Sequence, residues 1–337
     1  MSTTQGALER LLNNIWYGNS FLSLCLIPLT WPVRWVIHRR RQQASPKGST
    51  PEGVTVIVVG GLTAGGTGKT PVLIGLGKWL AEQGYRVGVV SRGYGGTYGP
   101  EPHSVTEVDT AAVVGDEPLL IRRELGVPVV VCADRERALD VLVDQDVVDV
   151  VLSDDGLQHY PMPRDIELLV LDAERGLGNG RLLPAGPLRE PARRLTNVDV
   201  VLERNSCDPD RGFSYQTSGA LHLASGRQVR WSECVAEWRD QSMVAITGLG
   251  QPRQFFEMLR GQGLAIEAES LGDHEAMTQA HLDRRDEQVL LMTAKDAVKL
   301  PECTDPRVWV VAIEVALPSS LLTKLTALLP SARFVEA

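Results

Sequence analysis

Short apolar runs alternate with amphipathic segments along most of this chain. Between residues 54 and 202 the runs are rich in β-branched residues, and they predict buried strands at Val54–Val59, Val87–Val90, Val127–Val131, Val147–Leu152, Ile166–Leu171 and Val198–Leu202. Helical patterns lie between several of these runs, at Pro71–Gln83, Glu117–Leu125 and Arg135–Val143. This alternation predicts an α/β fold in which helices cover both faces of a mostly parallel sheet.

A second, smaller α/β pattern begins at Met243, after a polar stretch that contains glycine. Its predicted elements are strand Met243–Ile246, helix Pro252–Arg260, strands Leu264–Ala268, Val289–Met292 and Val308–Ile313, and helix Ser319–Leu329. We therefore predict a main domain at residues 54–207, a connector or a small sheet of short alternating strands at 208–232, and a second α/β domain at 233–337. A chain of 337 residues is long enough for two such domains.

The N-terminal pattern is different, because residues Leu11–Val33 carry no charged side chain and are rich in aromatic and aliphatic ones. A basic cluster follows, formed by Arg34, His38, Arg39, Arg40 and Arg41. Asparagines and prolines interrupt the apolar run, which disfavours a spanning helix, and a secretory signal is disfavoured as well. We predict that residues 1–41 form a helical segment in the membrane interface, joined by a polar linker at 42–53. A buried core helix and a true membrane span are the alternatives.

Composition narrows the class of protein. The chain is 43% hydrophobic, which is typical of a folded globular protein, and its net charge of −8 argues against a nucleic-acid-binding protein. Five cysteines are scattered singly, so the sequence indicates neither a zinc site nor a disulfide framework. No pattern indicates an obligate protein partner.

The segment 54–70, VTVIVVGGLTAGGTGKT, connects a predicted strand to a predicted helix through a glycine-rich turn. Such a turn lets backbone amides surround phosphate oxygens, while the lysine reaches the outer phosphates and the following hydroxyl binds Mg²⁺. The strict motif has glycine where this chain has Thr63. The flanking strand and helix still favour a nucleoside triphosphate site. Its predicted members are Thr63, Ala64, Gly65, Gly66, Thr67, Gly68, Lys69 and Thr70.

Polar side chains follow the predicted strands, at the edge where parallel sheets bind ligands. Asp154 and Asp155 come just after the run Val147–Leu152, where proteins with a phosphate-binding loop hold Mg²⁺. Capping of the next helix is the alternative role for these two residues. His159 follows in the same segment, and its role is ambiguous from the sequence.

Two further residues stand at positions that suit phosphoryl chemistry. Arg92 follows another predicted strand, among glycines, and can clamp a phosphate or the sugar acceptor, although an ordinary surface turn is the alternative. Asp116 opens a predicted helix and is either its N-cap or a base that accepts a hydroxyl proton. The spacing does not decide between these roles.

A long loop rich in glycine and proline spans Gly178–Pro191, and loops of this length inside a domain tend to be functional. It offers Arg181, Arg189 and Glu190 as contacts to phosphate or to metal-bound water. Near the C-terminus, Thr293–Asp296 follows a strand and is either a base-reading loop or a helix cap.

Together these segments resemble the tetraacyldisaccharide 4′-kinase family, the kinases of lipid A biosynthesis. The resemblance is carried, in the family's order, by GGLTAGGTGKTP (60–71), SRGYGG (91–96), GDEP (115–118), SDDGLQH (153–159), GNGRLLPAGPLREP (178–191), GLGQPRQFF (248–256), GDH (272–274) and TAKDAVK (293–299). It implies ATP with Mg²⁺ as donor and a tetraacylated glucosamine disaccharide 1-phosphate as acceptor, phosphorylated at its 4′-hydroxyl. It also implies a peripheral or monotopic protein on the cytoplasmic face of the bacterial inner membrane, with its site between two α/β domains.

The same resemblance implies roles for single residues. Catalytic roles fall to Lys69, Asp116 and His274, with Asp116 as the base that His274 orients. The metal site takes Thr70, Asp154, Asp155 and Glu190, and the substrate is contacted by Arg92, Arg189 and His159. Many members have a second histidine where this chain has Glu275, so the orienting role rests on His274 alone.

Two other classes of protein compete with this interpretation. A membrane-associated switch ATPase of the partitioning type would carry K-G-G-x-G-K-[ST], but Ala64 replaces the first lysine. A GTP-dependent scaffold or metallochaperone would need a better base-recognition loop and a cysteine/histidine cluster.

Overall fold

The computed structural model describes residues 11–18, 20–45, 49–145, 148–272, 277–300 and 302–330. Within them the helices are α1 (residues 11–17), α2 (Leu22–Cys25), α3 (Thr30–Arg41), α4 (Lys69–Glu82), α5 (Ala111–Val114), α6 (Asp116–Leu125), α7 (Arg135–Asp144), α8 (Trp231–Trp238), α9 (Pro252–Gly261), α10 (Gln279–Leu282), α11 (Ala294–Ala297) and α12 (Ser319–Leu328). Two 3-10 helices occupy Ile27–Leu29 and Ala192–Thr196. The strands are β1 (Thr55–Gly60), β2 (Val87–Ser91), β3 (His103–Ser104), β4 (Val129–Val131), β5 (Val150–Asp154), β6 (Ile166–Asp172), β7 (Val200–Arg204), β8 (Gly212–His222), β9 (Gln228–Arg230), β10 (Met243–Thr247), β11 (Ile266–Ser270), β12 (Val289–Thr293) and β13 (Val308–Ala316).

The strands join in a continuous sheet that runs through both predicted domains. Its order is β11-β10-β12-β13-β8-β7-β6-β1-β5-β2-β4-β3, and β9 pairs with β8. β1 lies between β5 and β6 and runs parallel to both. β8 begins parallel to β7 and continues antiparallel to β13, so it links the half of the sheet that contains β1–β7 to the half that contains β10–β13. The predicted α/β fold with a mostly parallel sheet is confirmed.

The segment at 208–232, predicted as a connector or a small sheet, forms part of the continuous sheet. It contains β8, the longest strand in the described part of the chain, and β9. The sequence signal was weak because buried and exposed positions are mixed along β8, in contrast to the continuous apolar runs of the central strands. Since the sheet continues through residues 208–232, the predicted domain boundaries on either side stay predictions.

Helices pack on both faces of the central strands. Ile57 and Val59 of β1 join the apolar cluster formed with α4, α6 and α12, whereas Val56 and Val58 join the cluster formed with α7. This separation follows from the two-residue period of a strand. Two further clusters cover the two faces of β10–β13. Packing on both faces leaves the carboxyl ends of the strands as the place where polar side chains collect.

The N-terminal helices lie against the glycine- and proline-rich loop between β6 and β7. Trp16 Nε1 donates to the Pro184 carbonyl at 3.0 Å, and the Asn179 amide donates to the Trp16 carbonyl at 2.8 Å. Large apolar side chains between residues 21 and 36 remain exposed, including Phe21 at 74% and Trp31 at 72%. In the part of the chain that the structure describes, no helix combines the length and apolar character needed to cross a bilayer.

Candidate functional site

A glycine-rich loop connects the central strand β1 to α4, and Lys69 is the first residue of that helix. Gly65 and Gly68 have left-handed backbones, with φ of 101° and 88°. Side chains strongly disfavour that conformation, and a Cβ on Gly68 would also collide with the Tyr215 hydroxyl. Glycine is therefore required for steric reasons at two of the predicted phosphate-binding positions.

The first residues of the predicted nucleotide site are bound by the loop between β6 and β7. Thr63 forms an antiparallel bridge with Leu188, and the Ala64 amide donates to the Pro187 carbonyl at 2.8 Å. Because the Ala64 amide is already used within the protein, the structure removes it from the predicted set of phosphate donors. The amides that remain as candidates belong to the residues after Ala64.

Two aspartates at the end of β5 lie beside the lysine of the phosphate-binding loop. Asp155 Oδ1 is 3.5 Å from Lys69 Nζ, and Asp155 Oδ2 accepts a hydrogen bond of 2.7 Å from Arg189. The φ of Asp155 is 46°, which is uncommon for a residue with a side chain. Asp154 is buried, and its Oδ2 accepts from Ser91 Oγ at 3.1 Å. These residues form a compact polar cluster at the carboxyl end of the central strands.

The surroundings give the two carboxyl groups very different acidities. Burial, together with Glu117 and Asp155, raises the pKa of Asp154 to about 7. Burial acts in the same direction on Asp155, but Lys69 and Arg189 overcome it and lower the pKa of Asp155 to about 2. At neutral pH, Asp155 is therefore ionised, whereas Asp154 holds its proton to a much higher pH than an ordinary aspartate does.

The donor set fits Mg²⁺. Asp154 Oδ1 is buried and accepts no hydrogen bond from the described residues, and Thr67 Oγ1 is in the same situation. Asp155 and Thr70 line the same cleft. Within the described ranges no three histidine, cysteine or acidic side chains gather into a metal cage. Asp154 and Asp155 suit Mg²⁺, which proteins usually hold through one or two carboxylates together with substrate phosphates.

Arg135 is a site residue that the sequence patterns did not reveal. It begins α7, is buried, and donates from Nη2 to the carbonyls of Asp154 at 3.0 Å and Asp155 at 3.2 Å. The guanidinium thereby fixes the backbone that carries both carboxylates. A signal was present, because Arg135 shares the buried face of α7 with Ala138 and Leu139, where a charged residue is unusual.

Glu190 was predicted to belong to the metal site, but its carboxylate lies in a different network. The side chain is fully buried, and Oε2 accepts from Arg41 at 2.8 Å and from the Tyr160 hydroxyl at 2.5 Å. Oε1 accepts from Gln158 Nε2 at 3.0 Å. Since protein donors occupy both oxygens, the structure does not place Glu190 among the metal ligands. Its neighbour Arg189, by contrast, reaches Asp155.

Two of the predicted substrate residues line the same cleft. Arg92 follows β2 and is exposed. Burial and the nearby Arg135 lower the pKa of His159 to about 4, so its imidazole is neutral at physiological pH. His159 Nε2 is buried and has no hydrogen-bond partner within the described part of the chain, which leaves it able to pair with a ligand hydroxyl.

Asp116 begins α6 and faces the half of the sheet that contains β10–β13. Gly115 occupies the N-cap position, so the interpretation of Asp116 as a helix cap is wrong. Asp116 Oδ2 lies 3.7 Å from the Nζ atoms of both Lys295 and Lys299, and Lys295 Nζ is 2.9 Å from Glu117. His274, the predicted partner of Asp116, lies outside the described residues.

The TAKD segment (293–296) caps α11 and hydrogen-bonds to the residues at the end of β10. The Thr293 hydroxyl accepts from the Asp296 amide at 3.3 Å, at the start of α11. The Asp296 carboxylate is buried and accepts from Thr247 at 2.7 Å and from the Gly248 amide at 3.0 Å. With these partners Asp296 is not available to a nucleotide base, and the helix-cap alternative is the one that the structure shows.

Most of the predicted site residues line a cleft of about 1690 Å³ to which both halves of the sheet contribute, but Asp116 is not among its lining residues. Lys69, Asp155 and Arg92 lie on one wall, and Lys295 and Gln251 lie on the other. Gln251 Nε2 reaches across and donates to the Gly66 carbonyl at 2.6 Å. The cleft also extends to α3, where Val33, Ile37 and Arg40 line it.

A central strand that ends in a glycine-rich loop with Lys-Thr at a helix start, beside a strand that ends in aspartates, makes this an α/β protein whose candidate site has the elements expected of a nucleotide-binding site. The chain belongs to the LpxK family, tetraacyldisaccharide-1-P 4′-kinase, whose family model matches residues 22–330. The family predicted from the motifs is thus confirmed.

Individual relatives agree over nearly the whole chain. A tetraacyldisaccharide 4′-kinase of Alcanivorax borkumensis is 40% identical over 326 residues, covering 95% of this chain and 97% of the relative. One from Pseudomonas aeruginosa is 42% identical over 316 residues, covering 92% and 94%. The crystal structure of LpxK from Aquifex aeolicus in complex with ATP has a TM-score of 0.73 and 25% identity, covering 92% of this chain and 100% of that one.

Proposed function

We propose that this protein is an ATP-dependent kinase of lipid A biosynthesis, which transfers the γ-phosphate of ATP to the 4′-hydroxyl of a tetraacylated glucosamine disaccharide 1-phosphate. The relatives from Alcanivorax and Pseudomonas carry this activity in their names, and the Aquifex structure holds ATP. The observation that carries the proposal is the contact of Lys69 with Asp155 inside a large cleft. It joins a phosphate-binding loop to a carboxylate from the neighbouring strand.

On the donor side, Lys69 and the amides that follow Ala64 would bind the phosphates of ATP. Asp154, Asp155 and the Thr70 hydroxyl would hold Mg²⁺, which when bound neutralises charge on the phosphoryl oxygens. Asp155 already pairs with Lys69 and with Arg189. The wall of the cleft that contains Lys69 and Asp155 therefore carries both positive and negative charges. It can position the ATP phosphates together with Mg²⁺ without large rearrangement.

On the acceptor side, Asp116 would take the proton of the sugar hydroxyl as a general base. His274 is the residue proposed to orient it. Lys295 and Lys299 hold the Asp116 carboxylate close to the cleft from the opposite half of the sheet. Arg92 and His159 would contact the acceptor, the first through its charge and the second through its unpaired Nε2.

We also propose that the protein works at the cytoplasmic face of the bacterial inner membrane, as a peripheral or monotopic protein. Exposed Phe21, Trp31 and Trp35 lie near several arginines, which is the composition of an interfacial segment. A tetraacylated lipid leaves the bilayer at great cost, because each buried CH₂ contributes about 0.8 kcal/mol. The extension of the cleft to α3 would let the sugar reach the phosphates while the acyl chains stay in lipid.

The activity is tested by incubating the purified protein with γ-labelled ATP, Mg²⁺ and the disaccharide lipid. Label in the lipid supports the proposal. Hydrolysis of ATP that needs no lipid acceptor would favour the switch ATPase instead, and preferential competition by GTP over ATP would favour the GTP-dependent scaffold.

The membrane proposal is tested separately by flotation with vesicles of phosphatidylethanolamine and phosphatidylglycerol. Replacing Trp31 and Trp35 by Ser should lower the membrane-bound fraction, because two large interfacial side chains are lost. Val108→Ser, at an exposed apolar residue elsewhere on the surface, is the matched control and should float like the wild type. A Trp31→Ser/Trp35→Ser variant that also floats like the wild type would place the membrane contact elsewhere.

A further inference from the structure

The loop at residues 178–191, here called the clasp loop, touches α1, α2 and α3. At its beginning Asn179 and Pro184 hold α1 through Trp16. Arg181 Nη1 donates to Ser23 Oγ of α2 at 2.7 Å. At its end Glu190 pairs with Arg41, the last residue of α3.

The backbone of the clasp loop is also joined to the phosphate-binding loop. The Arg189 amide donates to the Leu62 carbonyl at 2.7 Å, Leu188 forms a bridge with Thr63, and the Pro187 carbonyl accepts from Ala64 at 2.8 Å. Three consecutive residues of the clasp loop therefore pair, in reverse order, with three consecutive residues that open the phosphate-binding loop. A shift of the clasp loop is therefore transmitted to the start of the phosphate-binding loop.

Side chains form a second connection between the clasp loop and the nucleotide site. Gln158 Nε2 donates to Glu190 Oε1 at 3.0 Å and to the Gly61 carbonyl at 3.1 Å. Arg189, next to Glu190, donates to Asp155 at 2.7 Å. The position of Glu190 thus influences both the glycine-rich segment and the carboxylate beside Lys69.

The Glu190 carboxylate needs Arg41. Its side chain has no exposed surface, and a buried charge without a compensating partner is strongly unfavourable. Arg194 Nε lies 3.5 Å from Glu190 Oε2, but Arg194 is also paired with Glu167. Arg41 is therefore the partner that comes from the N-terminal helices, with its guanidinium 2.8 Å from Glu190 and its Nε 3.2 Å from the Tyr160 hydroxyl.

We propose that Arg41 is a positioning residue that couples the seating of α3 on an anionic lipid surface to the geometry of Lys69, Asp155 and Arg189. This inference rests on the proposed function, which supplies MgATP and the membrane as the two ligands. Coupling between two binding events is reciprocal, so membrane contact strengthens MgATP binding and MgATP strengthens membrane contact.

The test is the Kd of MgATP, measured by isothermal titration calorimetry on the full chain with and without vesicles of phosphatidylethanolamine and phosphatidylglycerol, in the absence of any lipid acceptor. We expect vesicles to tighten MgATP binding of the wild type by about 5-fold or more, the ordinary range for coupled sites. Arg41→Met should bind MgATP more weakly and should lose the response to vesicles. Arg41→Lys should recover part of both.

Two further variants assign the effect to the Arg41–Glu190 contact. Arg193→Met removes one positive charge from an exposed position close to Glu190 and should behave like the wild type. In a Glu190→Gln background, Arg41→Met should add little, because its partner charge is already gone. The double variant leaves no unpaired buried charge. It therefore still tests the role of the Arg41–Glu190 contact in a case where Arg41→Met alone folds poorly.

The outcomes separate this inference from the proposed function. A wild type that binds MgATP but does not respond to vesicles overturns the coupling alone. An Arg41→Met variant that keeps the wild-type affinity and vesicle response overturns the role of Arg41. A wild type that binds no MgATP under any condition overturns the proposed function itself.

Discussion

The two walls of the cleft are built in different ways. On the first wall, Lys69 comes after β1, and Asp154 and Asp155 lie at the end of the neighbouring parallel strand β5, where Arg135 binds their carbonyls. On the second wall, Lys295 and Gln251 cross to the first wall through the length of their own side chains. The geometry of the first wall is set within one half of the sheet, whereas the contacts of the second depend on how the two halves meet. Phosphate binding should therefore tolerate changes at the second wall better than acceptor activation does.

The largest expected effect comes from Asp116, which Lys295 of the second wall contacts. Asp116→Asn should lower turnover by about 10²–10⁴-fold, because it removes the proposed base. The Kd of MgATP should stay unchanged, since the first wall remains intact. Turnover is measured by label transfer and the Kd by calorimetry. Asp140→Asn, at an exposed aspartate of α7, is the control, and near-normal turnover of Asp116→Asn would remove that residue from the role.

A variant in the first wall should change binding and turnover together. Lys69→Met should reduce turnover by about 10²–10³-fold, the range seen when one preorganised electrostatic donor is lost. In contrast to Asp116→Asn, it should also weaken MgATP binding in the same calorimetric assay. Lys324→Met, at an exposed lysine of α12, is the matched control. Normal MgATP affinity of Lys69→Met would show that the lysine does not bind phosphate.

Asp172 tests how the two halves of the sheet are held together. Its buried carboxylate pairs with Arg204, and both residues contact the half of the sheet that contains β10–β13, Arg204 through Gln251 and Asp172 through Gln254. Asp172→Asn should lower the free energy of unfolding by about 3–5 kcal/mol at neutral pH, because a buried guanidinium loses its partner. Denaturant unfolding measures this loss, with the exposed Asp240→Asn as control.

The same pair predicts a dependence on pH. Burial alone would raise the pKa of Asp172, but the Arg204 guanidinium holds it below its ordinary value of 3.8. A lowered pKa in the folded state means that the stabilisation is complete above pH 3.8 and is lost as the pH falls through the folded pKa. The difference in stability between wild type and Asp172→Asn should therefore shrink below about pH 4. A constant difference down to pH 3 would contradict the ion pair as its cause.

The smallest effect is expected at the second wall. Lys295→Met should lower kcat by about 10-fold, the equivalent of one charge-assisted hydrogen bond, while the Kd of MgATP stays the same. Lys299→Met removes the other lysine beside Asp116 without removing the contact to Glu117, so its effect should be smaller. An effect of Lys295→Met on MgATP binding instead of on kcat would show that the two walls are not independent.

Much of the first wall could be predicted from the sequence, because its residues follow apolar strands that are continuous and easily recognised. β1 and β5 are buried at every position, so their ends are clear, and the polar residues after them identify the site. Glycine at positions 65 and 68 is required by local backbone conformation, which a local pattern can indicate. The family resemblance added the identity of the ligands, which no spacing supplies.

The relations that the sequence did not predict are contacts between distant segments. Lys295 and Asp116 are far apart in the chain, and no periodicity connects them. Glu190 was placed with the metal through the family resemblance, but its partner Arg41 comes from a helix that is far away in the sequence. Asp296 resembled part of a base-reading loop, whereas its neighbours in space are Thr247 and Gly248. Each of these cases depends on packing, which a single sequence encodes only indirectly.

The pairing of β8 has a mechanical consequence for the width of the cleft. β8 meets β7 only at Gly212 and Phe213, opposite Glu203 and Arg204, whereas its pairing with β13 continues along most of its length. Among the strand junctions around β8, this one is held by the shortest hydrogen-bonded ladder. A rotation of one half of the molecule against the other is thus least resisted at that seam. Opening and closing would concentrate there, which leaves the strands that carry the catalytic groups undistorted.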